Sequence, residues 1–331
     1  MTGIRLIAEI GSVHDGSFGN ATKLIEAAAA CGAHAVKFQT HIAAAETIRN
    51  APNPPYFSGE PRFEYFERTG FSLEQWCNLK NVCDAVKVEF LSSPFSLEAV
   101  DLLEEVGVGS YKIPSGEVTN VPLLKKIAAT GKPVLLSSGM SDWNELDQAV
   151  EALKGSSRII VLQCSSVYPC PPERVGLNVL REMRDRYGHE VGYSDHTLGV
   201  AAAIAAATLG AVVIEKHFTF SRRMYGSDAS NASEPDEFRL LAASLSEVAT
   251  MLAHPVDKSD TRTYRHMKRI FEKSVVAARD LAKGKPLEEA DLAFKKPGDG
   301  IPAAQWRDLL GKRLRISVQA DHKFSAGDVE H

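Results

Sequence analysis

Cysteine is scarce in this chain. Its five thiols, Cys31, Cys77, Cys83, Cys164 and Cys170, form no CxxC pair and are odd in number. That argues against a disulfide scaffold and fits a reducing compartment, so a cytoplasmic location is expected. Long apolar runs are missing too: no stretch of ~18 uncharged apolar residues is present to span a bilayer. The opening MTGIRLIAEIGS holds too short an apolar run for a signal peptide. Neither sign of charge dominates, with 38 Lys+Arg against 42 Asp+Glu and a formal net charge of -4. Bulk charge therefore gives no support to a nucleic-acid partner or an anionic membrane, although it allows a local basic pocket for a phosphorylated substrate. Without GxGxxG, Walker A or GxSxG sequences, nucleotide binding and serine hydrolysis lose their main support.

What remains is a 331-residue chain, 44% hydrophobic and 24% charged, which can bury a real core. Its length suits one large domain plus a small one, or two of middling size. Short β-branched runs recur at Leu6 to Ile10, Ala35 to Thr40, Glu89 to Ser93, Ser110 to Ser115, Val134 to Ser138, Ile159 to Cys164, Glu190 to Asp195 and Val212 to His217. Helical patterns lie between several of them. Asn20 is placed to cap Ala21 to Cys31, Ser96 and Gly107 to bracket Leu97 to Val106, and Gly210 to stop the alanine-rich Val200 to Leu209. Strand, helix, strand at this spacing implies parallel pairing through right-handed crossovers. Eight units in roughly 220 residues suit a (β/α)8 barrel, with a doubly wound open sheet as the rival. Polar side chains at nearly every strand end favour the barrel, which gathers those ends around one mouth.

The segment Asn50 to Trp76 reads as a long insertion rich in proline and aromatics, among them Pro54, Pro55, Tyr56, Phe57, Phe63, Tyr65 and Phe66. A lid or binding loop and a satellite hydrophobic cluster are both open readings. The barrel is expected over residues 1–255 and a polar, basic linker over 256–272. A small β-rich domain over 273–331 follows, marked by Lys283-Gly284-Lys285-Pro286, Lys296-Pro297-Gly298 and a run from Leu314 to Val318.

Two histidines stand at adjacent strand ends, His196 in GYSDHT and His217 in IEKHFT. Such a pair can meet one divalent ion and leave positions open for water and substrate; the alternative is a pair of hydrogen-bonded packing histidines. Lys37 and Lys112 come from the second and fourth strands. An inward lysine asks for an anion, a phosphate or carboxylate, with Ser115, Ser137 and the amides around Gly116 and Gly139 as further donors. A Schiff-base lysine and a structural salt bridge are the competing uses. Glu9, Glu117 and Asp228 are carboxylates suited to orienting water or binding hydroxyls, and spacing assigns them no role.

The runs AEIGSVHDG (Ala8 to Gly16), VKFQTH (Val36 to His41), SSPF (Ser92 to Phe95), YKIPSGE (Tyr111 to Glu117), LSSGM (Leu136 to Met140), GYSDHT and EKHFT together resemble the N-acetylneuraminate (sialic acid) synthase family. Its relatives include legionaminate, pseudaminate and spore-coat polysaccharide synthases. KPGDGI (Lys296 to Ile301) and Gly311-Lys312 resemble that family's antifreeze-like (SAF) domain. The resemblance covers nearly the whole chain. It implies a TIM barrel in which carbon 3 of phosphoenolpyruvate attacks the open-chain aldehyde of an amino sugar, water adds at carbon 2, and phosphate leaves by carbon–oxygen cleavage.

By the same resemblance, His196 and His217 hold manganese or magnesium. Lys37, Ser93, Lys112, Ser115, Ser137, Ser166 and Ser194 bind phosphoenolpyruvate, and Glu9 handles water or a proton. Gln39, Tyr168, Asp228 and Lys296 face the sugar, and the chains pair as a homodimer in which each small domain covers the partner's barrel. The sequence departs from the family at Val13 (usually Asn), Ala229 (often His), Ser93 and Ser166 (Thr and Asn in some members) and Lys296 (Arg). Lysine lacks arginine's bidentate fork, so the sugar stays open. Other readings are a different phosphoenolpyruvate-using barrel aldolase, a Schiff-base aldolase, or an idle barrel whose SAF domain binds carbohydrate.

Overall fold

Strands apolar on both faces must be covered on both, and here the chain covers them by closing the sheet on itself. The computed structural model describes residues 3–53, 59–226 and 228–330. Strands β1 (Arg5–Gly11), β2 (Ala35–Thr40), β3 (Glu89–Pro94), β4 (Tyr111–Ile113), β5 (Val134–Ser137), β6 (Ile159–Cys164), β7 (Glu190–Asp195) and β8 (Val213–His217) pair in chain order, all parallel, as a closed barrel. β8 returns to β1 with His217 beside Glu9. β4 is shorter than the sequence suggests because Pro114 and the turn Ser115–Glu117 end it.

Side chains alternate across the barrel wall. Ile7, Ala35, Leu91, Leu135, Ile160, Leu162 and Val213 fill the interior near the strands' N-terminal ends. The opposite faces join the helices in a much larger core around Leu6, Val36, Phe90, Tyr111 and Ile214. Gly192 lets the interior close: a Cβ there would stand 2.9 Å from the Val213 carbonyl oxygen and 3.0 Å from Leu162 Cγ.

Ser96 caps Leu97–Val106, and Gly107 ends it in the left-handed region at φ 78°. The first helix begins a turn earlier than the sequence suggests. Ser17, not Asn20, is its cap, accepting from the Asn20 amide, and Phe18 opens Phe18–Ala30 while packing edge-on to Phe71. In the insertion, the helix Arg62–Thr69 buries Phe63, Tyr65 and Phe66 against Ala43. The satellite cluster is therefore real, while Pro54, Pro55, Tyr56 and Phe57 lie outside the described residues.

The chain divides into two compact units, Met1–His254 and Pro255–His331. The segment that reads as a linker carries a helix, Arg265–Phe271. The C-terminal unit pairs β9 (Ser274–Ala277) with β10 (Leu292–Lys295) antiparallel over Val275, Leu287, Leu314 and Phe324. Instead of a strand from Leu314 to Val318, isolated bridges join Leu314 to Val329 and Val318 to Leu281. Among the described residues, no helix is long and apolar enough to cross a membrane.

Asp291 knits this small unit. Its buried carboxylate accepts from Arg279 (2.8 Å), Lys285 (2.5 Å) and the Glu288 amide (3.0 Å). Burial alone would raise its proton affinity, but these donors outweigh it and hold the group at about 2. The stabilisation is therefore full above the ordinary aspartate range and is lost as pH falls through about 2. Asp291→Asn is expected to cost about 2 kcal/mol, the scale of hydrogen bonds to a charged group whose cations reach solvent. Hydrogen exchange should show faster opening of β9 and β10 with the barrel strands unchanged.

Candidate active site

Alternation decides which strand-end residues meet. In β8, Glu215 and His217 point inward, whereas Lys216 points to the helices and pairs with Asp195 at 2.7 Å. Ser138, turned away likewise, bonds Gln163 at 3.2 Å, and Ser92 bonds Thr40 at 2.7 Å. These residues do not join the mouth. The inward set begins with a charged layer. Lys37 Nζ stands 2.9 Å from Glu9 Oε2 and 3.6 Å from Glu215 Oε1. Lys112 Nζ stands 3.5 Å from the same Glu215 oxygen and donates to Ser137 Oγ at 2.7 Å. Ser93 accepts from Lys37 at 3.3 Å, and Ser194 donates to Glu215 at 3.2 Å. All four charged groups are buried.

Their environments differ in sign. Burial dominates at Glu9 and raises its proton affinity, with Lys37 offsetting only part of the rise. Burial also opposes ionisation of Glu215, but Lys112 and Lys37 outweigh it and hold the group at about 2. For Lys37, burial is overcome by Glu215 and Glu9 together, so its proton is held more tightly than usual. Lys112 has chiefly Glu215 to offset burial and falls below the ordinary lysine value. Two carboxylates driven apart in this way suit a fixed anion and a proton carrier.

Above this layer lies a cavity of about 450 Å³, a size suited to a small metabolite. Lys37, Lys112, Ser137 and Ser194 line its floor, and Ser115 and Ser166 its wall. Gly139 allows those two hydroxyls to converge: a Cβ there would lie 2.4 Å from Ser166 Oγ and 2.5 Å from Ser115 Oγ. Met140 beside it lines the mouth at φ 67°, a conformation non-glycine residues seldom adopt. Glu9, Gln39, Tyr168 and Asp228 face the same space. Asp228 accepts from the Ser12 amide at 3.0 Å, an approach that Gly11 permits because a Cβ there would sit 2.3 Å from its Oδ2. Of the residues singled out in the sequence, Ser93 lies beneath the cavity against Lys37. Lys296 belongs to the C-terminal unit, with its Nζ 5.0 Å from the Phe271 ring centroid.

His196 and His217 enter the cavity with ring centroids 5.5 Å apart. His196 Nδ1 meets the Ser165 carbonyl at 2.7 Å, and with a hydrogen on that nitrogen Nε2 is free to accept, 3.2 Å from the Tyr168 hydroxyl. His217 Nδ1 is buried with no partner among the described residues, and burial lowers the ring's proton affinity to about 4, the neutral form a metal requires. The two imidazoles thus fit a divalent ion. Among the described residues no group of three or more ligating side chains is assembled. Cys164 lies 3.9 Å from His196 Nδ1. Burial opposes its ionisation, yet His196 brings the thiol down to about 7, and Cys164 correspondingly raises His196.

Sequence reading gave no role to Glu215, Cys164, His41, Arg62 and Phe95, and left Phe66 between a binding loop and a packing cluster; all six line the cavity. Strict period-two counting back from His217 would have found Glu215. Phe66 lies in the insertion whose binding-loop reading was open and Phe95 closes the SSPF run, but nothing in the sequence marked Arg62, on the insertion helix, as a cavity residue.

Residues 24–257 match the model of the NeuB family and residues 272–330 that of the SAF domain. The N,N'-diacetyllegionaminic acid synthase of Campylobacter jejuni is 37% identical over 96% of this chain and 97% of its own length. The human N-acetylneuraminate-9-phosphate synthase is 33% identical, covering 96% of this chain and 90% of its own. Among solved structures, a putative spore coat polysaccharide biosynthesis protein E from Chromobacterium violaceum superposes with a TM-score of 0.74 at 25% identity, covering 99% of this chain and all of that one.

Glu215→Gln leaves Lys37 with Glu9 alone and Lys112 with only hydroxyls. Breaking a buried ion pair from one side costs about 3 kcal/mol or more. The variant should unfold at lower urea than the parent, and inorganic phosphate should restore part of the loss by supplying the missing negative charge.

Proposed function

The chain belongs to the NeuB family of sialic-acid-type synthases, and from that premise we propose that it condenses phosphoenolpyruvate with an open-chain amino-sugar aldehyde. The products are a 3-deoxy-nonulosonic acid and inorganic phosphate. The observation that carries the reading is the meeting, in one cavity, of two buried ammonium groups ringed by serine hydroxyls with two imidazoles.

Phosphoenolpyruvate brings a phosphate and a carboxylate. Lys37 and Lys112, with Ser115, Ser137, Ser166 and Ser194, supply donors for both, while Ser93 steadies Lys37 from below. Carbon 3 forms the new bond to the aldehyde carbon, whose oxygen takes up a proton. Water adds at carbon 2, giving up a proton, and the carbon–oxygen bond to phosphate breaks. Glu9 is the group to move these protons, since burial favours its protonated form beside an otherwise fixed charge network. Gln39, Tyr168 and Asp228 orient the sugar. His196 and His217 would hold a manganese or magnesium ion, which would supply Lewis acidity toward the aldehyde oxygen.

We further propose a homodimer in which the C-terminal unit of one chain covers the partner's barrel and Lys296 meets the sugar's acyl group, which would exclude water from the intermediate. Light scattering should give a dimer; a fully active monomer overturns this.

Phosphate release should be measured from phosphoenolpyruvate with N-acetylmannosamine, its 6-phosphate, a 2,4-diacetamido-trideoxy hexose and an unsubstituted hexose. At least one aldehyde should give release and a nonulosonate by mass. A chelator should abolish it, manganese or magnesium should restore it, and His196→Ala should lose it. Borohydride with pyruvate should trap no lysine adduct. Silence with every aldehyde favours the idle barrel. Gly139→Ala, pushing Ser115 and Ser166 apart, should raise KM for phosphoenolpyruvate about tenfold, a loss near 1.4 kcal/mol, while KM for the sugar changes little.

A further inference from the structure

Gln39 can present either end of its amide to Glu9, and only one end is useful. Its Nε2 lies 2.8 Å from Glu9 Oε1, so the amide hydrogen meets the carboxylate. The flipped amide would set a carbonyl oxygen against a carboxylate oxygen. Something must hold the productive orientation, and among the described residues Gln39 Oε1 meets His41 Nε2 at 3.2 Å.

His41 is itself held on every side. Its Nδ1 lies 2.8 and 3.0 Å from the two oxygens of Glu46. Phe66 stacks on one face, centroids 3.7 Å apart and 13° from parallel, and Phe95 stacks at 4.1 Å and 23°. Both His41 and Glu46 are buried. A carboxylate at Nδ1 and a carbonyl at Nε2 each require a hydrogen from the ring. A flat ring hydrogen-bonded at both nitrogens suits a place between two phenyl faces. Glu117 and Arg62 are the other charged groups nearby.

We propose that His41 is a positioning residue: clamped by Glu46, Phe66 and Phe95, it fixes the Gln39 amide so that Glu9 is held between Gln39 and Lys37. The proposal deepens the synthase reading and rests on it for its kinetic arm. Glu9 then has a donor at each oxygen, Gln39 on Oε1 and Lys37 2.9 Å from Oε2, which sets the plane of the carboxyl before substrate arrives. Fixing a proton-carrying group ahead of reaction spares reorganisation during it, so the effect belongs in kcat and not in phosphoenolpyruvate binding.

His41→Phe keeps a flat ring between the phenyl faces and removes both donors. His41→Gln restores a donor close to the Nε2 position. His41→Phe should lower kcat at least about tenfold with KM for phosphoenolpyruvate unchanged within about twofold, and His41→Gln should recover much of the loss. In a Gln39→Leu background, His41→Phe should cost nothing more, since the amide it orients is gone. Additive losses, or equal losses in the Phe and Gln variants, overturn the proposal and leave His41 a packing residue.

A second measurement needs no turnover. In the resting protein labelled with 15N-histidine, NMR should show a hydrogen on His41 Nε2, protected from exchange and exposed in Gln39→Leu. An unprotonated Nε2 overturns the proposal even if the enzyme is active. A wild-type chain inert with every aldehyde but showing this protected hydrogen overturns the synthase reading and leaves the orientation lock standing.

Discussion

Two ammonium groups and two carboxylates share the barrel interior out of reach of water, and most of the site follows from how they divide their charge. Isolated burial of any one would be prohibitive, so each must be paired. Lys37 is paired twice, with Glu9 and Glu215, whereas Lys112 shares Glu215 and donates to the Ser137 hydroxyl. The layer is therefore lopsided. Burial keeps Glu9 toward its protonated form, and Glu215 stays ionised between the two lysines. Lys112 is thus the less compensated of the two ammoniums, and the unbalanced positive charge lies at the cavity floor. An anion arriving there meets a deficit already built into the fold, and its charge restores to Lys112 the proton affinity that burial removes.

Backbone close approach completes the arrangement. The hydroxyls of Ser115 and Ser166 can converge only because residue 139 has no Cβ. Asp228 can reach the Ser12 amide only because residue 11 has none and accepts φ 53°. Both glycines lie at C-terminal strand ends, β1 and β5, where the barrel hands its side chains to the loops. The rigid strands thus fix the charged floor, while the loops, through such tight contacts, bring the hydroxyls and the Asp228 carboxylate to it. Met140, held at φ 67° at the cavity mouth, adds a strained backbone position to the same loops.

Much of this was legible in the residues. Eight apolar runs with polar ends define the barrel, since only closure covers both faces and collects those ends together. His196, His217, Lys37 and Lys112 were identifiable because inward cations and imidazoles at strand ends need a common explanation. What escaped were properties of faces and folds of chain. Lys216 and His217 are adjacent in sequence yet lie on opposite sides of the wall, so a count of strand-end polars merged a structural ion pair with the site and overlooked Glu215. The Ser17 cap was hidden because helix starts depend on whether Phe18 packs, which is a tertiary matter. The insertion aromatics could not be assigned by composition, and they turn out to serve twice: Phe66 belongs to the satellite cluster and also stacks on His41.

That double use explains why a polar chain of contacts can run from the cavity mouth to its floor. Glu46, His41, Gln39, Glu9 and Lys37 touch in succession, so the insertion helix, through Phe66, bears on a carboxyl group at the barrel's first strand. In a wet loop such a chain would be weak, each link competing with solvent. Enclosed by phenyl rings and the barrel wall, the same links act at low dielectric, where an amide held the wrong way is costly and the right way is self-consistent. The insertion is then more than a cover over the mouth. Its packing and the Glu9 carboxyl are parts of one hydrogen-bonded unit, so a change at Phe66 bears on Glu9 through His41 and Gln39.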